Sequence, residues 1–187
     1  MLHINEFLVN KKINKKIDQY QYHPNTKEEL IDNINEIIHK DNSNIYSNHI
    51  YNLNCIDTSA ITDMSYLFCL NKISNYAEYF DISEWNVHNV NNMLKMFAYS
   101  DKFNCNISNW DVSNVQDMNC MFEGCKKFNQ DISGWDVGNV TNMQGMFYEC
   151  YNFNQDLNNW NVSKVKDMRH MFSECRRLKN TPTWYKE

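Results

Sequence analysis

The chain repeats one 25-residue sentence in register. Residues 131–155 read DISGWDVGNVTNMQGMFYECYNFNQ, and residues 106–130 read NISNWDVSNVQDMNCMFEGCKKFNQ. Trp85, Trp110, Trp135 and Trp160 stand 25 apart, and so do Met93, Met118, Met143 and Met168. The Met-Phe pairs at Met96-Phe97, Met121-Phe122, Met146-Phe147 and Met171-Phe172 keep the same spacing, as do valine columns at Val87 and at Val90. A weaker copy, NLNCIDTSAITDMSYLF (Asn52–Phe68), puts Ile56 at the tryptophan position, and about four extra residues follow it before Asp81. The boundaries read as 52–80, 81–105, 106–130, 131–155 and 156–180, five repeats in all. A fixed period of this length is the mark of repeats that bury one another's apolar faces. One copy alone has too few apolar side chains to offset the entropy of ordering its backbone.

Within a repeat, FNQDIS reads as a short strand. TNMQGMFYEC reads as a short helix, because Met143, Met146 and Phe147 fall at i, i+3 and i+4. One strand and one helical turn per 25 residues is the period of a leucine-rich-repeat-like coil. The expected fold class is therefore an α/β repeat solenoid of short parallel strands and short helices. Residues 1–51 do not repeat and are expected to cap it. There INEFLV suits a strand, and Thr26 followed by Glu29 is a capping box opening an amphipathic helix over about 26–40. Leu30, Ile31, Ile34, Ile37 and Ile38 form its apolar face, a lid for the open end of the first repeat. Residues 181–187 form a short C-terminal cap.

The pattern DISxWDVSNVxxMxxMFxxCxxFNQ resembles the repeat of BspA-like proteins, leucine-rich-repeat relatives found in mycoplasma surface lipoproteins, some gut bacteria and protists, and giant DNA viruses. YHPNTKEELIDNINEII is similar to the helical lead-in of intracellular and viral members, and TPTWYKE to their closing segment. The resemblance covers about 52–187. It implies a right-handed, leucine-rich-repeat-like coil that binds proteins or is displayed on a surface, and it implies no catalytic residue. This chain shows no signal sequence and no lipid-attachment cysteine, which separates it from the surface lipoproteins. Its 31 Asn, with plentiful Ile, Lys and Tyr, fit an AT-rich genome such as that of a giant virus or a parasite.

Charge and cysteine usage narrow the function classes. The net charge of -5 is unlike the basic footprint of a nucleic-acid binder. It is also uneven. Residues 52–155 carry five Lys against twelve acids, net -7, whereas residues 156–187 carry seven Lys or Arg against four acids, net +3. The basic end holds Lys164, Lys166, Arg169, Arg176, Arg177 and Lys179. It reads either as a solvated end or as a docking patch for an acidic partner or another copy. The basic run at Lys11–Lys16 is short and set among acids. No apolar run approaches a membrane span. Seven cysteines with no CxxC pair point to free thiols in a reducing compartment. The expected location is cytoplasmic, meaning host cytoplasm or virion if the source is viral.

The repeated columns also bound the chemistry. Cys125, Cys150 and Cys175 read as small buried hydrophobes, since equivalent residues of successive repeats lie too far apart to share a metal. The tryptophans read as packing, with an aromatic groove as the alternative. Asn104, Asn129 and Asn154 suit a side-chain ladder. No nucleophile, zinc-protease, phosphate-loop or dinucleotide motif is present, and the six His keep no register. The expectation is a non-enzymatic protein-interaction module with no cofactor, metal, nucleic acid or membrane partner. Its contacts would come from non-core residues of the strand face: Asp81, Ser83, Ser108, Asp131, Ser133, Asp156 and Asn158. The alternative is a structural protein that self-associates head to tail through its acidic body and basic end.

Overall fold

The computed structural model describes residues 20–40, 50–69 and 72–186. The INEFLV segment, the Lys11–Lys16 cluster, and His3 and His49 lie outside them. The described residues include one α-helix, Lys27–Lys40 (α1), and two strands of two residues each, Tyr51–Asn52 (β1) and Phe80–Asp81 (β2). The strands pair in parallel, Tyr51 with Phe80 and Asn52 with Asp81. Short 3-10 segments span Leu53–Cys55 and Lys72–Tyr79. From residue 82 onward the described chain is turns and isolated bridges.

The expected α/β repeat solenoid, with a strand and a helix in every repeat, is thus overturned, and each absence has a local cause. The segment expected as a helix sends its amides elsewhere. Phe147 N–H donates to Met171 O at 2.9 Å, 24 residues ahead, so no i to i-4 bond forms. Lys95, Cys120, Gly145 and His170 take positive φ of 53°, 51°, 60° and 58° in the middle of that segment, which breaks a helix. The segment expected as a strand has side chains where a sheet has backbone. Asn129 N–H donates to Asn104 Oδ1 at 2.9 Å, and Gln130 Nε2 to Asn104 O at 2.8 Å. Asn154 N–H then donates to Asn129 Oδ1 at 2.8 Å, and Lys179 N–H to Asn154 Oδ1 at 3.0 Å. These amide oxygens occupy donors that a backbone ladder needs.

What joins the repeats is a set of rows. Parallel bridges run Asp63, Asn92, Asp117, Asn142, Asp167. In one row Phe68 N–H donates to Met96 O, Phe97 to Met121, Phe122 to Met146 and Phe147 to Met171, at 2.8–2.9 Å. Parallel rows start at Met64, Tyr66 and Tyr99 with the same polarity, N–H toward the following repeat. Two further rows, ending in Lys166 N–H to Thr141 O and Arg177 N–H to Tyr151 O, run the opposite way. Each indole N–H donates to a carbonyl of the preceding repeat, as in Trp135 to Ile107 O at 3.1 Å. Cys125, Cys150 and Cys175 donate in the same sense to Phe97, Phe122 and Phe147 O at 2.9–3.0 Å.

The core is the repeated apolar set. Phe97 and Phe122 stack at 5.6 Å and 0°, and Trp85 and Trp110 at 6.5 Å and 5°. Phe122 lies against Phe128 of its own repeat at 4.1 Å. At the N-terminal end α1 closes this core with Leu30, Ile34 and Ile38, all buried. Its start is capped as the sequence predicts, with Thr26 Oγ1 accepting from Glu29 N–H at 3.2 Å. The Glu29 carboxylate accepts from Asn25 N–H at 2.7 Å. At the C-terminal end Trp184 continues the tryptophan column. It stacks on Trp160 at 6.5 Å and donates to Leu157 O at 2.9 Å.

Candidate functional site

The turn segments that were expected to be helices carry a concavity, a notch of about 580 Å³. Its lining is Lys95, Asn119, Cys120, Glu123, Gln144, Gly145, Tyr148 and His170. The notch exists because one column shrinks in mid-row. At the first left-handed position of each turn segment the chain places Lys95, Cys120, Gly145 and His170, so two small residues sit between two long ones. Gly145 keeps the two rungs close there: a Cβ would lie 3.0 Å from Cys120 Sγ.

The walls are polar and linked. Asn119 Nδ2 donates to Gln144 Oε1 at 3.2 Å across one rung. The Tyr99 hydroxyl donates to Glu123 Oε1. Lys95 Nζ stands 3.6 Å from Glu123 Oε2, an ion pair outside hydrogen-bonding distance, and that oxygen is buried without a hydrogen-bond partner. The hydrogen bond to Glu123 pushes the Tyr99 phenol up to about 12. Burial, then the hydrogen bond to Glu123, pushes the Cys120 thiol up to about 12 as well. Burial works against the Lys95 ammonium, but Glu123, Cys120 and Tyr66 together raise it, and Lys95 titrates above its ordinary value. On the far wall the Tyr148 hydroxyl and the His170 ring make no hydrogen bond among the described residues.

The residues expected at the strand face lie elsewhere and are occupied locally. Asp131 Oδ1 accepts from Ser133 N–H at 3.0 Å and Ser133 Oγ at 2.7 Å. Asp81 holds Ser83, and Asp156 holds Asn158, in the same way. Ser108 is held by Asn106. These are tight turns, and β2 alone supplies a strand, at Asp81. The structure brings Asp156, Asn158 and Lys179 together in a shallow cleft of about 180 Å³. In the basic set, Arg169 pairs with Asp167 at 2.6 Å and Arg176 with Glu174 at 3.3 Å. The Arg176 guanidinium also lies over the Tyr151 ring at 4.0 Å. Lys164 donates to Asn139 Oδ1 at 2.6 Å. Lys166, Arg177 and Lys179 are exposed and form no ion pair among the described residues.

The sequence reading named none of the eight notch residues as a site, yet one signal was available. In the stretch from Met143 to Phe147 and its counterparts, the Met, Met and Phe columns repeat without change and are buried, apart from the half-buried Met168. Between and just after them lie sites that differ in every copy: Leu94, Asn119, Gln144, Arg169, and Ala98, Glu123, Tyr148, Ser173. Of these, Asn119, Gln144, Glu123 and Tyr148 of the two middle copies line the notch, whereas Ala98 is buried.

Among the described residues no group of three His, Cys, Asp or Glu side chains is placed to hold a metal ion. No helix among them is long and apolar enough to cross a membrane. No curated protein and no solved structure matches the chain. Residues 62–185, more than half of the chain, match the family described as Mycoplasma protein of unknown function, DUF285, and the chain belongs to that family.

Proposed function

We propose that this chain is a non-enzymatic protein-interaction module whose contact site is the notch around Gly145. The observation that carries the reading is the division of labour inside one turn segment. Its uniform columns build the core, and its varied columns converge on a concavity with unused polar groups at Tyr148 and His170. Such a surface fits a protruding polar or aromatic side chain of a partner. The 25-residue motif supports a finer kinship, to BspA-like repeats, at the level of sequence. A cytoplasmic place, in host cytoplasm or virion if the source is viral, is supported by the unpaired cysteine count and the Asn-rich composition.

The test is affinity capture from the natural cellular background with the full chain and with a Tyr148→Ala, His170→Ala variant. Both side chains lie at the surface, so the melting temperature should stay within a degree or two. The expected result is one partner held by the wild type and lost by the variant. Retention by that variant, with loss in an Asp131→Lys, Asp156→Lys variant, would move the contact to the turns. Head-to-tail self-assembly is the second reading, favoured by an acidic body and a basic end. Light scattering at low and high salt tests it, and a monomer at both ends it.

A further inference from the structure

The C-terminal end of the rows is unfinished in a chemically specific way. In each inner repeat four amides point at carbonyls of the next one, for example Met143 to Asp167 O and Gly145 to Arg169 O. In the last repeat the equivalent donors are Met168, His170, Phe172 and Glu174. None of the four N–H groups has a partner among the described residues. Their peptide carbonyls, on Asp167, Arg169, Met171 and Ser173, all accept from the repeat behind. So these four peptide dipoles share one direction, with the positive pole outward, against two rows of reverse sense. A β edge alternates donors and acceptors, but here the four amides stand together, and the two reverse rows add only the carbonyls of Lys166 and Arg176. Aligned, unpaired N–H groups attract anions.

Three cations of the last repeat form no ion pair among the described residues: Lys166, Arg177 and Lys179, the last of which shares a cleft with Asp156. Beside them Val162, Val165 and Met168 are half-buried, where the equivalent Val137, Val140 and Met143 are fully buried. A second copy does not complete the edge end to end. C-terminal end against C-terminal end sets donors against donors and cations against cations, and the N-terminal end is covered by α1. A long nucleic acid would meet the net charge of -7 on residues 52–155.

The geometry points to this end as a docking site for a short acidic stretch of a partner polypeptide. Its carboxylates would accept from the four amides, its flanking charge would meet Lys166, Arg177 and Lys179, and an apolar residue would cover Val165 and Met168. The surface is separate from the notch, although His170 turns its ring to one and its N–H to the other.

The test uses the ¹⁵N-labelled full chain and an octapeptide alternating glutamate and valine. The amides of Met168, Phe172 and Glu174 should shift together on titration. Affinity should fall about tenfold in a Lys166→Glu, Arg177→Glu, Lys179→Glu variant, and it should weaken with added salt in the wild type. Tyr148→Ala should leave it unchanged, so that failure of the notch reading and failure of this one are told apart. The proposal is overturned if those amides do not move. It also fails if an octapeptide with glutamine in place of each glutamate binds equally or a short single-stranded oligonucleotide binds more tightly. Movement of the same amides on concentrating the protein alone would assign the edge to a second copy instead.

Discussion

The two ends of the molecule start from the same repeated unit and finish it differently. At the N-terminal end α1 lays Leu30, Ile34 and Ile38 on the core, with relative exposures of 0%, 0% and 5%. Lys27 Nζ reaches Asp63 at 2.9 Å and Ser65 Oγ at 3.0 Å, and Tyr22 bridges to Ile56. At the C-terminal end Thr183, Trp184 and Tyr185 cover the indole side only. Thr183 N–H donates to Asn158 Oδ1 at 2.8 Å, and Tyr185 meets Phe172 edge-on at 5.0 Å. The valine and methionine side is left half-open. The difference teaches that a repeat has no stability of its own, because its neighbour decides how much of the same residue set leaves water.

The sharpest way to break that comparison is to remove matched side chains. Ile34→Ala should cost about 2–5 kcal/mol, because α1 then leaves a cavity against the first repeat. Val140→Ala, fully buried in mid-array, should cost about 1.5–3 kcal/mol by the loss of two buried methyl groups and their contacts. Val165→Ala, the same position one repeat later, should cost under ~1 kcal/mol. Urea unfolding of the three variants checks the order, and equal losses at Val140 and Val165 would mean that the C-terminal end is covered. Trp135→Phe comes next. It removes one of the two donors to the buried Ile107 carbonyl, which keeps Trp110 N–H at 3.2 Å, at a cost of about 0.5–1.5 kcal/mol, whereas Trp184→Phe at the half-exposed end should cost less.

What the sequence disclosed follows the same division. Columns fixed by packing were legible: the tryptophans, the Met-Phe pairs and Leu30, Ile34 and Ile38 of α1 are in the core where their spacing placed them, though Ile31 and Ile37 of α1 and Val162, Val165 and Met168 of the last repeat are only half-buried. The asparagine ladder was legible too, because Asn104, Asn129 and Asn154 have no other reason to recur in register. Local secondary structure within the repeats was not. Met143, Met146 and Phe147 have helical spacing, yet a run of turns with left-handed residues at every fourth position buries the same three. Period alone does not distinguish the two, because it records which side chains are inside and not where the amides go. The notch was hidden for a related reason. It depends on Gly145 and Cys120 being small beside Lys95 and His170, a contrast between copies, and a search for repeated residues passes over it.

Acid should probe the turns common to both ends. Ser133 lowers the Asp131 carboxyl through side-chain and backbone donors, and Ser113, followed by His88, does the same for Asp111. Arg169 pulls Asp167 down to about 2. A carboxyl held low in the folded state adds stability above its unfolded value of about 3.9 and loses it as pH falls through the folded value. The urea midpoint should therefore be flat from neutrality to about pH 5 and fall below about pH 4. Asp131→Asn should reduce that fall slightly. These carboxyls are exposed, so solvent screening keeps each share small. A midpoint that rose on acidification would show that the Asp turns do not act on stability.

The smallest expected effect is on thiol chemistry, and it separates the notch from the core. Cys125 and Cys150 are buried and held far above the ordinary thiol range by desolvation, so alkylation there should wait for opening of the repeats. Cys120 is only half-buried, but burial and then Glu123 raise it to about 12. It should alkylate slowly at pH 8, because the thiolate is scarce and not because the reagent is kept out. Glu123→Gln removes the negative charge beside it and leaves Lys95 unpaired nearby, so Cys120 should react several-fold faster in that variant while Cys150 does not change. Mass spectrometry of the labelled sites reads both at once. Equal acceleration at the two cysteines would mean that the substitution loosened the whole array. Acceleration at Cys120 alone would show that the notch has its own electrostatics, set by residues that the core does not use.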